Sequence, residues 1–333
     1  MSAQWNRILW VMNVAAIGGS TLWVLDAIRS LTLWQHDVVF FYGEEELSIS
    51  ERFREAGASI ARVDSLTRAT VDALDPPVVI LSNADPKKLE GEHPWEWLTS
   101  TRTVISVHHS AVWPWIPGAA ADVFVSHWLF NHYRGIVDRM RRAWVIPPGI
   151  HTADFADIPL RGSRRGAACV IGRHSTGQAF KYPLALLDIL RRTGCRARIV
   201  GGRPFYGEGE QSLEFPEIGS IDTAAFLAGL DVFVYRSGGP ETWCRAVTEA
   251  MAAGLPCVVQ NAGGIAEQIE DGVDGFLCDA DDEFVDRLRL LVRRPALRER
   301  IGAAARLKAV RFFDVDRFRE MTEQLMVRSA LAR

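Results

Sequence analysis

Several features that assign a chain to a specialised class are missing from this sequence. Its five cysteines, all in the second half, have neither metal-site nor redox-pair spacing, which predicts reduced and mostly buried thiols. No apolar run reaches the roughly 18 residues that a membrane-spanning helix needs. No Gly-x-Gly-x-x-Gly follows a predicted strand, which argues against a nicotinamide dehydrogenase. The formal net charge is −3, so bulk electrostatics predict no nucleic-acid partner. We expect a folded cytoplasmic protein.

An apolar run at residues 8–19 has the length of a signal-peptide core. Only Arg7 provides a positive charge before it, and a Gly-Gly-Ser turn with an amphipathic segment follows. This order favours a strand, a turn and a helix over a secretory signal.

Strand-like and helix-like segments alternate along the whole chain, which predicts an α/β fold with parallel sheets covered by helices on both faces. The 333 residues suffice for two domains of about 150 residues each. A polar stretch with proline and glycine at 151–166 is the predicted linker. The predicted strands are 7–14, 37–42, 77–82, 103–107, 122–126, 143–146, 167–171, 196–201, 231–235, 256–260 and 275–278. The predicted helices are 20–33, 48–56, 66–74, 128–140, 182–193, 222–229, 240–253, 263–270, 281–293, 295–310 and 312–331.

The predicted helix 240–253 has clear start and stop signals. Pro240 suits a first helical position, where the missing N–H costs nothing. Gly254 suits a left-handed C-terminal position, and Pro256 prevents continuation. On such a helix Glu241 and Glu249 would lie on nearly the same face.

A glycine pair, Gly238 and Gly239, precedes this helix and allows a tight turn. The amides at the start of the helix would favour an anion or a set of hydroxyls. Glutamates at this spacing often form only a solvated helix face, so the spacing alone leaves both interpretations open.

The segment 237–259 resembles the Glu-x7-Glu motif of retaining glycosyltransferases of family 4, the group 1 glycosyltransferases, which have a GT-B fold. Further landmarks follow in that family's order. They are GAACVIGRHSTGQAFKY at 166–182, RIVGGRP at 198–204, AFLAGLDVFVYRSGG at 225–239 and NAGGIAEQIEDGVDGFL at 261–277. Weaker matches are VISVHHS at 104–110, DVFVSHW at 122–128 and VIPPGIHTADF at 145–155. The resemblance covers nearly the whole chain, most closely 166–280.

The resemblance implies a GT-B architecture of two Rossmann-like domains whose parallel sheets face each other across a cleft. Residues 1–155 would form the domain for the acceptor, and 156–311 the domain for the nucleotide-sugar donor. The last helix, at about 312–331, would pack back on the first domain.

On this resemblance, Arg173 and Lys181 neutralise the diphosphate that departs in the reaction. The chain has only four lysines, so background composition does not explain a lysine at this motif position. The spacing between the two residues is longer than is usual in the family. An ordinary exposed pair is the alternative. His174, which follows Arg173, could also contact phosphate.

The resemblance also assigns Glu249 to the ribose hydroxyls and Glu241 to the donor sugar. A carboxylate that accepts two vicinal hydroxyls is a sound match to a ribose. Family members often have Gly-Phe-Gly where this chain has Thr242, Trp243 and Cys244. Their amides would still face the donor, although Cys244 narrows the space.

In the first half, Gly18 and Gly19, followed by Ser20 as N-cap, resemble the family's loop near the diphosphate. His108 aligns with the histidine of the His-Asp landmark and would touch the reacting sugar. His109 stands at the acidic position, which departs from the family. For the glycine loop, the alternative is a plain connection between a strand and a helix. For His108, the alternative is a purely structural role.

The implied reaction is transfer of a hexose-type sugar with retention, in which the leaving phosphate takes the acceptor proton. Neither a metal ion nor another cofactor is expected. The acceptor would be a saccharide, a lipid-linked molecule or another small molecule. Ten of the eleven tryptophans lie in the first half, where they would stack on sugars, touch the inner membrane face or simply fill the core. A noncatalytic sugar-nucleotide-binding protein and a GT-B epimerase or phosphorylase remain alternatives.

Overall fold

The chain forms two units, each built on one parallel sheet. A computed structural model describes residues 6–16, 18–43, 46–91, 94–110, 116–133, 135, 142–160, 169–208 and 212–330. Unit 1 comprises Met1–Gly149 and Asp316–Arg333, and unit 2 comprises Ile150–Val315. The division lies slightly before the predicted boundary at 155/156.

Unit 1 contains a sheet of seven described strands in the order β3-β2-β1-β4-β5-β6-β7, all parallel. The strands are β1 Arg7–Val14, β2 Gln35–Tyr42, β3 Ala58–Arg62, β4 Val78–Ser82, β5 Thr103–His108, β6 Ala121–Phe124 and β7 Ala143–Val145. The central strands β4 and β5 are buried along their whole length, because helices cover both faces of the sheet. The helices are α1 Gly19–Ser30, α2 Leu47–Glu55, α3 Arg68–Leu74, α4 Pro94–Thr101 and α5 His127–His132.

Unit 2 contains a sheet of six described strands in the order β10-β9-β8-β11-β12-β13, again all parallel. The strands are β8 Val170–Arg173, β9 Arg196–Ile199, β10 Leu213–Glu214, β11 Val232–Tyr235, β12 Cys257–Gln260 and β13 Gly275–Cys278. The helices are α6 Leu184–Thr193, α7 Arg203–Tyr206, α8 Thr223–Ala228, α9 Arg245–Ala252, α10 Asp281–Arg293 and α11 Pro295–Phe312.

The last helix, α12, runs from Val315 to Ala330 and packs on unit 1. Its Phe318 meets the buried Trp23 edge-on, with ring centroids 5.2 Å apart. Arg142, which precedes β7, donates a 2.6 Å hydrogen bond to the backbone oxygen of Arg328. These contacts attach the C-terminal helix to helix α1 and to the residue before β7.

Each sheet has one point where the strand order reverses. In unit 1 it lies between β1 and β4, and in unit 2 between β8 and β11. In open parallel sheets, the loops that leave neighbouring strands at such a point go to opposite faces, and ligands bind in the space between them. The carboxyl ends of β8 and β11 are therefore the place to look for a site in unit 2.

The predicted helix 240–253 is wrong in its first turn. Helix α9 begins only at Arg245, and Pro240–Cys244 is an irregular loop. A tertiary contact competes with helix formation there, because the backbone oxygen of Glu241 accepts a hydrogen bond of 2.8 Å from the N–H of Gly264. Glu241 therefore precedes the helix and does not share a helical face with Glu249.

The predicted end of this helix is confirmed. Gly254 has a left-handed φ of 71°. Its N–H donates to the oxygen of Met251, and the N–H of Leu255 donates to the oxygen of Ala250. This is the paired hydrogen-bond pattern that a left-handed glycine makes at a helix C-terminus.

Other predicted elements also need correction. The predicted helix 263–270 is only a 3-10 turn at Gly263–Ile265. Strands β3 and β10 and helix α4 were not predicted at all. Residues 151–160 of the predicted linker belong to unit 2, because Ile150 exchanges backbone hydrogen bonds with Phe313 and Val315. Residues 161–168 lie outside the described residues.

Helices α9 and α11 approach so closely that a glycine is required between them. A Cβ on Gly302 would overlap the backbone oxygen of Gly254. We expect Gly302→Ala to destabilise the protein by about 1–3 kcal/mol, although glycine-to-alanine changes in a helix usually stabilise it. Urea unfolding measures the effect. Gly19→Ala is the helical control, because its Cβ would meet no atom within 4 Å. Equal behaviour of the two variants would contradict this packing.

Candidate functional site

The candidate site in unit 2 is built where β8 and β11 end. Arg173 is the last residue of β8, and His174 follows it. Tyr235 is the last residue of β11, and the chain then turns through Gly238 and Gly239 toward Glu241. Because the strand order reverses between these two strands, their loops bring the cations and the carboxylates to one edge of the sheet.

The glycine turn is fixed by Gln260 at the end of β12. The Gln260 amide oxygen accepts a hydrogen bond from the N–H of Ser237 at 2.8 Å, and its nitrogen donates to the oxygen of Gly239 at 2.9 Å. The N–H of Gly238 also donates to the oxygen of Phe180 at 2.6 Å. The turn that precedes Glu241 is thereby joined to the loop that carries Lys181.

Glu241 is nearly buried, and each of its carboxylate oxygens has its own partner. Lys181 lies with Nζ 3.4 Å from Oε2. Tyr235 donates its hydroxyl hydrogen bond to Oε1. A Cβ on Gly263 would overlap the Glu241 backbone, so that glycine permits the close approach that holds the loop. The structure thus brings Lys181 and Glu241 together, and their contacts with a donor stay a prediction.

Glu249, on helix α9, lies between Arg245 and His174. Arg245 Nε lies 3.0 Å from Oε1, one helical turn earlier in the sequence. His174 Nε2 lies 3.4 Å from Oε2. The pKa of His174 is lowered, mainly by burial. The negative charge of Glu249 raises this pKa by less than burial lowers it, and Arg173 lowers it further. A neutral imidazole forms no ion pair with Glu249, whose carboxylate keeps its capacity to accept hydrogen bonds from hydroxyls.

Arg173 is completely buried, which sequence reasoning did not foresee. Its guanidinium carbon lies 4.2 Å from the centre of the Tyr235 ring and 5.2 Å from that of Tyr182. Nη1 donates to the backbone oxygen of Arg236 at 2.8 Å, whereas Nε and Nη2 have no hydrogen-bond partner among the described residues. The contact of Arg173 with a diphosphate stays a prediction.

The residues after Glu241 face the interior of unit 2. Trp243 packs edge-on against Phe313, with centroids 5.5 Å apart. Cys244 is buried, and burial, reinforced by Glu241, raises its pKa to about 12. With its amide oriented to suit both partners, Gln268 hydrogen-bonds the backbone N–H and oxygen of Cys244. The backbone N–H of Cys244 therefore already donates to Gln268. Contacts of Thr242, Trp243 and Cys244 with the donor stay a prediction.

In unit 1, the glycine loop begins helix α1 one residue earlier than predicted. Gly18 is the N-cap, with an extended φ of −176°, and Gly19 is the first helical residue. Ser20 is therefore not the N-cap. The backbone oxygen of Gly18 accepts the first helical hydrogen bond, from Leu22 at 3.0 Å, and no side chain caps this end. Contact of this loop with a diphosphate stays a prediction.

His108 ends strand β5 with a buried imidazole. Its Nε2 lies 2.8 Å from Oδ1 of Asp122, which is also buried. The ring stacks on Phe124 with centroids 4.8 Å apart. A buried carboxylate partner accounts for this histidine structurally, so its contact with a reacting sugar stays a prediction.

A polar cluster at the carboxyl ends of β1, β4 and β5 escaped the sequence analysis. Asn13 donates to the backbone oxygen of Asn83 at 2.7 Å, and Asn83 donates to the Ser110 hydroxyl at 3.1 Å. Asn83 adopts a left-handed φ of 54°, which asparagine tolerates better than most residues. A signal was present in the sequence, because Asn13 interrupts the apolar end of β1 and polar residues follow β4 and β5 at once.

Four of the described tryptophans of unit 1 pack in or against its core. Trp10 and Trp23 are fully buried, and Trp95 and Trp97 are partly buried against the core of the sheet. Trp113 and Trp115 lie outside the described residues. A tryptophan-built acceptor or membrane contact stays a prediction.

Among the described residues, no three histidine, cysteine, aspartate or glutamate side chains are grouped as ligands for a metal ion. None of the described helices combines the length and apolar character of a membrane span.

Part of the chain is similar to a known protein family. Residues 169–308 match the family model of glycosyl transferases group 1. Spore coat protein SA of Bacillus subtilis is 37% identical over 93 residues, which are 27% of this chain and 25% of that protein. A GDP-mannose-dependent alpha-mannosyltransferase of Corynebacterium glutamicum is 42% identical over 65 residues, which are 20% of this chain and 16% of that protein. The chain thus matches a quarter or less of the length of these relatives.

Solved structures resemble the chain over nearly its whole length. Anabaena HepE, solved with UDP and with UDP-glucose, has a TM-score of 0.78 and 17% identity, and the match covers 96% of this chain and 99% of HepE. Sucrose-phosphate synthase of Thermosynechococcus elongatus has a TM-score of 0.72 and 15% identity, with 98% and 100% covered. These neighbours are GT-B glycosyltransferases. The predicted fold class of two Rossmann-like domains with parallel sheets is confirmed.

His109 should make folding stability depend on pH. It contacts Ser82 at 3.1 Å and Trp23 edge-on, and burial, with a further contribution from His108, lowers its pKa to about 3. In the unfolded chain this histidine has a pKa near 6.5, so it binds a proton in a pH range where the folded protein leaves it neutral. The free energy of unfolding therefore falls as pH drops from 6.5 toward 3. Between pH 7.5 and 5, wild type should lose up to about 2 kcal/mol more than His109→Gln in urea unfolding. Parallel pH profiles would contradict this.

Proposed function

We propose that this protein is a retaining glycosyltransferase that moves a hexose-type sugar from a nucleotide-diphosphate sugar to a saccharide, lipid-linked or other small acceptor. The observation that carries the proposal is the pair of carboxylates, Glu241 and Glu249, at the edge of the sheet where β8 and β11 end. Lys181 is paired with Glu241, Arg245 is paired with Glu249, and His174 lies beside Glu249. All five residues lie in the segment that matches the model of glycosyl transferases group 1.

Lys181 is the best-placed cation for the departing diphosphate. It is partly exposed, and its 3.4 Å distance from Glu241 is longer than that of a strong charge-assisted hydrogen bond. A diphosphate can therefore compete for its ammonium group. Charge that grows on the leaving phosphate in the transition state would strengthen this interaction and lower the barrier.

Glu249 and Glu241 would orient the donor through its hydroxyls. Glu249 sits on a regular helix, which suits an acceptor of hydrogen bonds from the two ribose hydroxyls. Glu241 would contact the donor sugar. Both residues then bind and position the donor, while the leaving phosphate takes the acceptor proton in a front-face reaction with retention. Neither step requires a metal ion or another cofactor.

The nucleotide of the donor is UDP or GDP in the first instance. HepE was solved with UDP-glucose, and the Corynebacterium relative is named for GDP-mannose. Both are nucleoside-diphosphate hexoses, so the two share the chemistry proposed for Lys181 and the glutamates. We place the protein in the cytoplasm, with an acceptor there or at the inner membrane face.

A noncatalytic sugar-nucleotide-binding protein is the second candidate. The burial of Arg173 and the engaged amide of Cys244 favour it, because both groups would contact the donor in the resembled family. This candidate keeps donor binding and loses transfer. Release of nucleoside diphosphate from a sugar nucleotide, alone or with oligosaccharide acceptors, separates the two.

Binding of the donor should depend on Glu249. Isothermal titration with UDP, GDP, UDP-glucose and GDP-mannose should identify at least one ligand, and Glu249→Ala should weaken it about 10- to 100-fold, because the ribose loses a charged acceptor. Glu299→Ala, an exposed glutamate on α11, is the control and should bind as wild type does. If no nucleotide binds, or if both variants bind equally, the proposed donor site is wrong.

A further inference from the structure

Tyr235 connects the buried Arg173 to Glu241. Its side chain is completely buried at the end of β11. One face of its ring receives the guanidinium of Arg173, whose central carbon lies 4.2 Å from the ring centre. Its hydroxyl donates to Oε1 of Glu241.

The guanidinium is held by aromatic faces and not by a carboxylate. The guanidinium carbon of Arg173 also lies 5.2 Å from the centre of the Tyr182 ring. The only hydrogen bond that the guanidinium makes to the described residues goes to a backbone oxygen. A cation over an aromatic ring is attracted more strongly where water is excluded. Arg173 therefore fixes the plane of the Tyr235 ring, and with it the direction of the hydroxyl.

The Tyr235 hydroxyl is suited to donate to a carboxylate. Burial raises its pKa well above the ordinary value of a phenol, so the group keeps its proton at neutral pH. A hydroxyl that donates to an ionised carboxylate forms one of the stronger hydrogen bonds in proteins. Ser175 Oγ lies 3.3 Å from the same hydroxyl and can donate to it in turn.

The two partners of Glu241 differ in rigidity. Lys181 reaches it with a flexible side chain from a short 3-10 turn, Ala179–Lys181. Tyr235 reaches it from a buried strand, so its position is set by the sheet. If Lys181 turns to a diphosphate, Tyr235 still holds the carboxylate in place.

We propose that Tyr235 is a positioning residue that directs the Glu241 carboxylate at the donor sugar, and that Arg173 supports this role through the Tyr235 ring. This inference rests on the proposed function.

The test compares affinity for a sugar nucleotide with affinity for its nucleoside diphosphate alone. Tyr235→Phe keeps the ring under the guanidinium and removes only the hydroxyl. In isothermal titration, binding of UDP should stay within about twofold of wild type, while UDP-glucose should bind about tenfold more weakly, as a lost hydrogen bond to a charged group implies. If wild type prefers GDP, then GDP and GDP-mannose replace this pair. An unchanged ratio of the two affinities would overturn the proposal.

Tyr182→Phe is the matched control. Tyr182 packs on the same guanidinium, but its hydroxyl donates to the backbone oxygens of Ser175 and Val200, at 3.1 and 2.9 Å. It should leave the ratio unchanged, so a change equal to that of Tyr235→Phe would mean a general disturbance and overturn the assignment to Tyr235.

Two further variants test the connections. In a Glu241→Ala background, Tyr235→Phe should cause no additional loss of affinity for UDP-glucose, because Tyr235 acts through that carboxylate. An additive loss would overturn the proposal.

Arg173→Met, which keeps the bulk of the side chain without its charge, should weaken binding of UDP-glucose selectively. An equal loss of UDP would show that Arg173 meets the diphosphate. Failure of wild type to bind any nucleotide would instead reject the proposed function, and the inference with it.

Discussion

The reversal of strand order between β8 and β11 is the constraint on which the candidate site depends. It directs the loops after Arg173 and Tyr235 to opposite faces of one parallel sheet and leaves room for a ligand between them. The cations come from the β8 side and the carboxylates from the β11 side. Residues separated by some seventy positions, from His174 to Glu249, thereby pair without any motif in the sequence that connects them.

A buried arginine without a carboxylate partner shapes what the rest of this site can do. Removing a charge from water is costly unless other groups replace its hydration. Here the faces of Tyr182 and Tyr235 and one backbone oxygen do so in part. Since this cation is enclosed, Lys181 is the more accessible positive charge beside Glu241, and the phosphate chemistry proposed for the site rests on that lysine.

Much of the fold could be predicted from the sequence, because buried parallel strands are continuous apolar runs and helix ends carry local signals such as Gly254. Features that depend on distant partners could not. Pro240 and Glu241 satisfy the local rules for a helix start, yet contacts with Gly263 and Gly264 hold them in a loop. Likewise Arg173 ends its strand at the predicted position, but only the packing of two tyrosines from elsewhere makes it buried. The Glu249 partner Arg245 was detectable, since it lies four residues away on the same helix.

The two glutamates are anchored in different ways, which separates two parts of donor recognition. Glu249 belongs to a regular helix, and its partner Arg245 is fixed by the helical repeat, so its position follows from the fold itself. Glu241 lies in a loop whose path is set by Gly263 and Gly264 and whose carboxylate is set by Tyr235 and Lys181. Changes in that loop or in Tyr235 would redirect Glu241 without moving Glu249. Under the proposed function, the fold itself would fix the contact between Glu249 and the ribose. The loop 237–244 and the buried Tyr235 would determine which sugar binds.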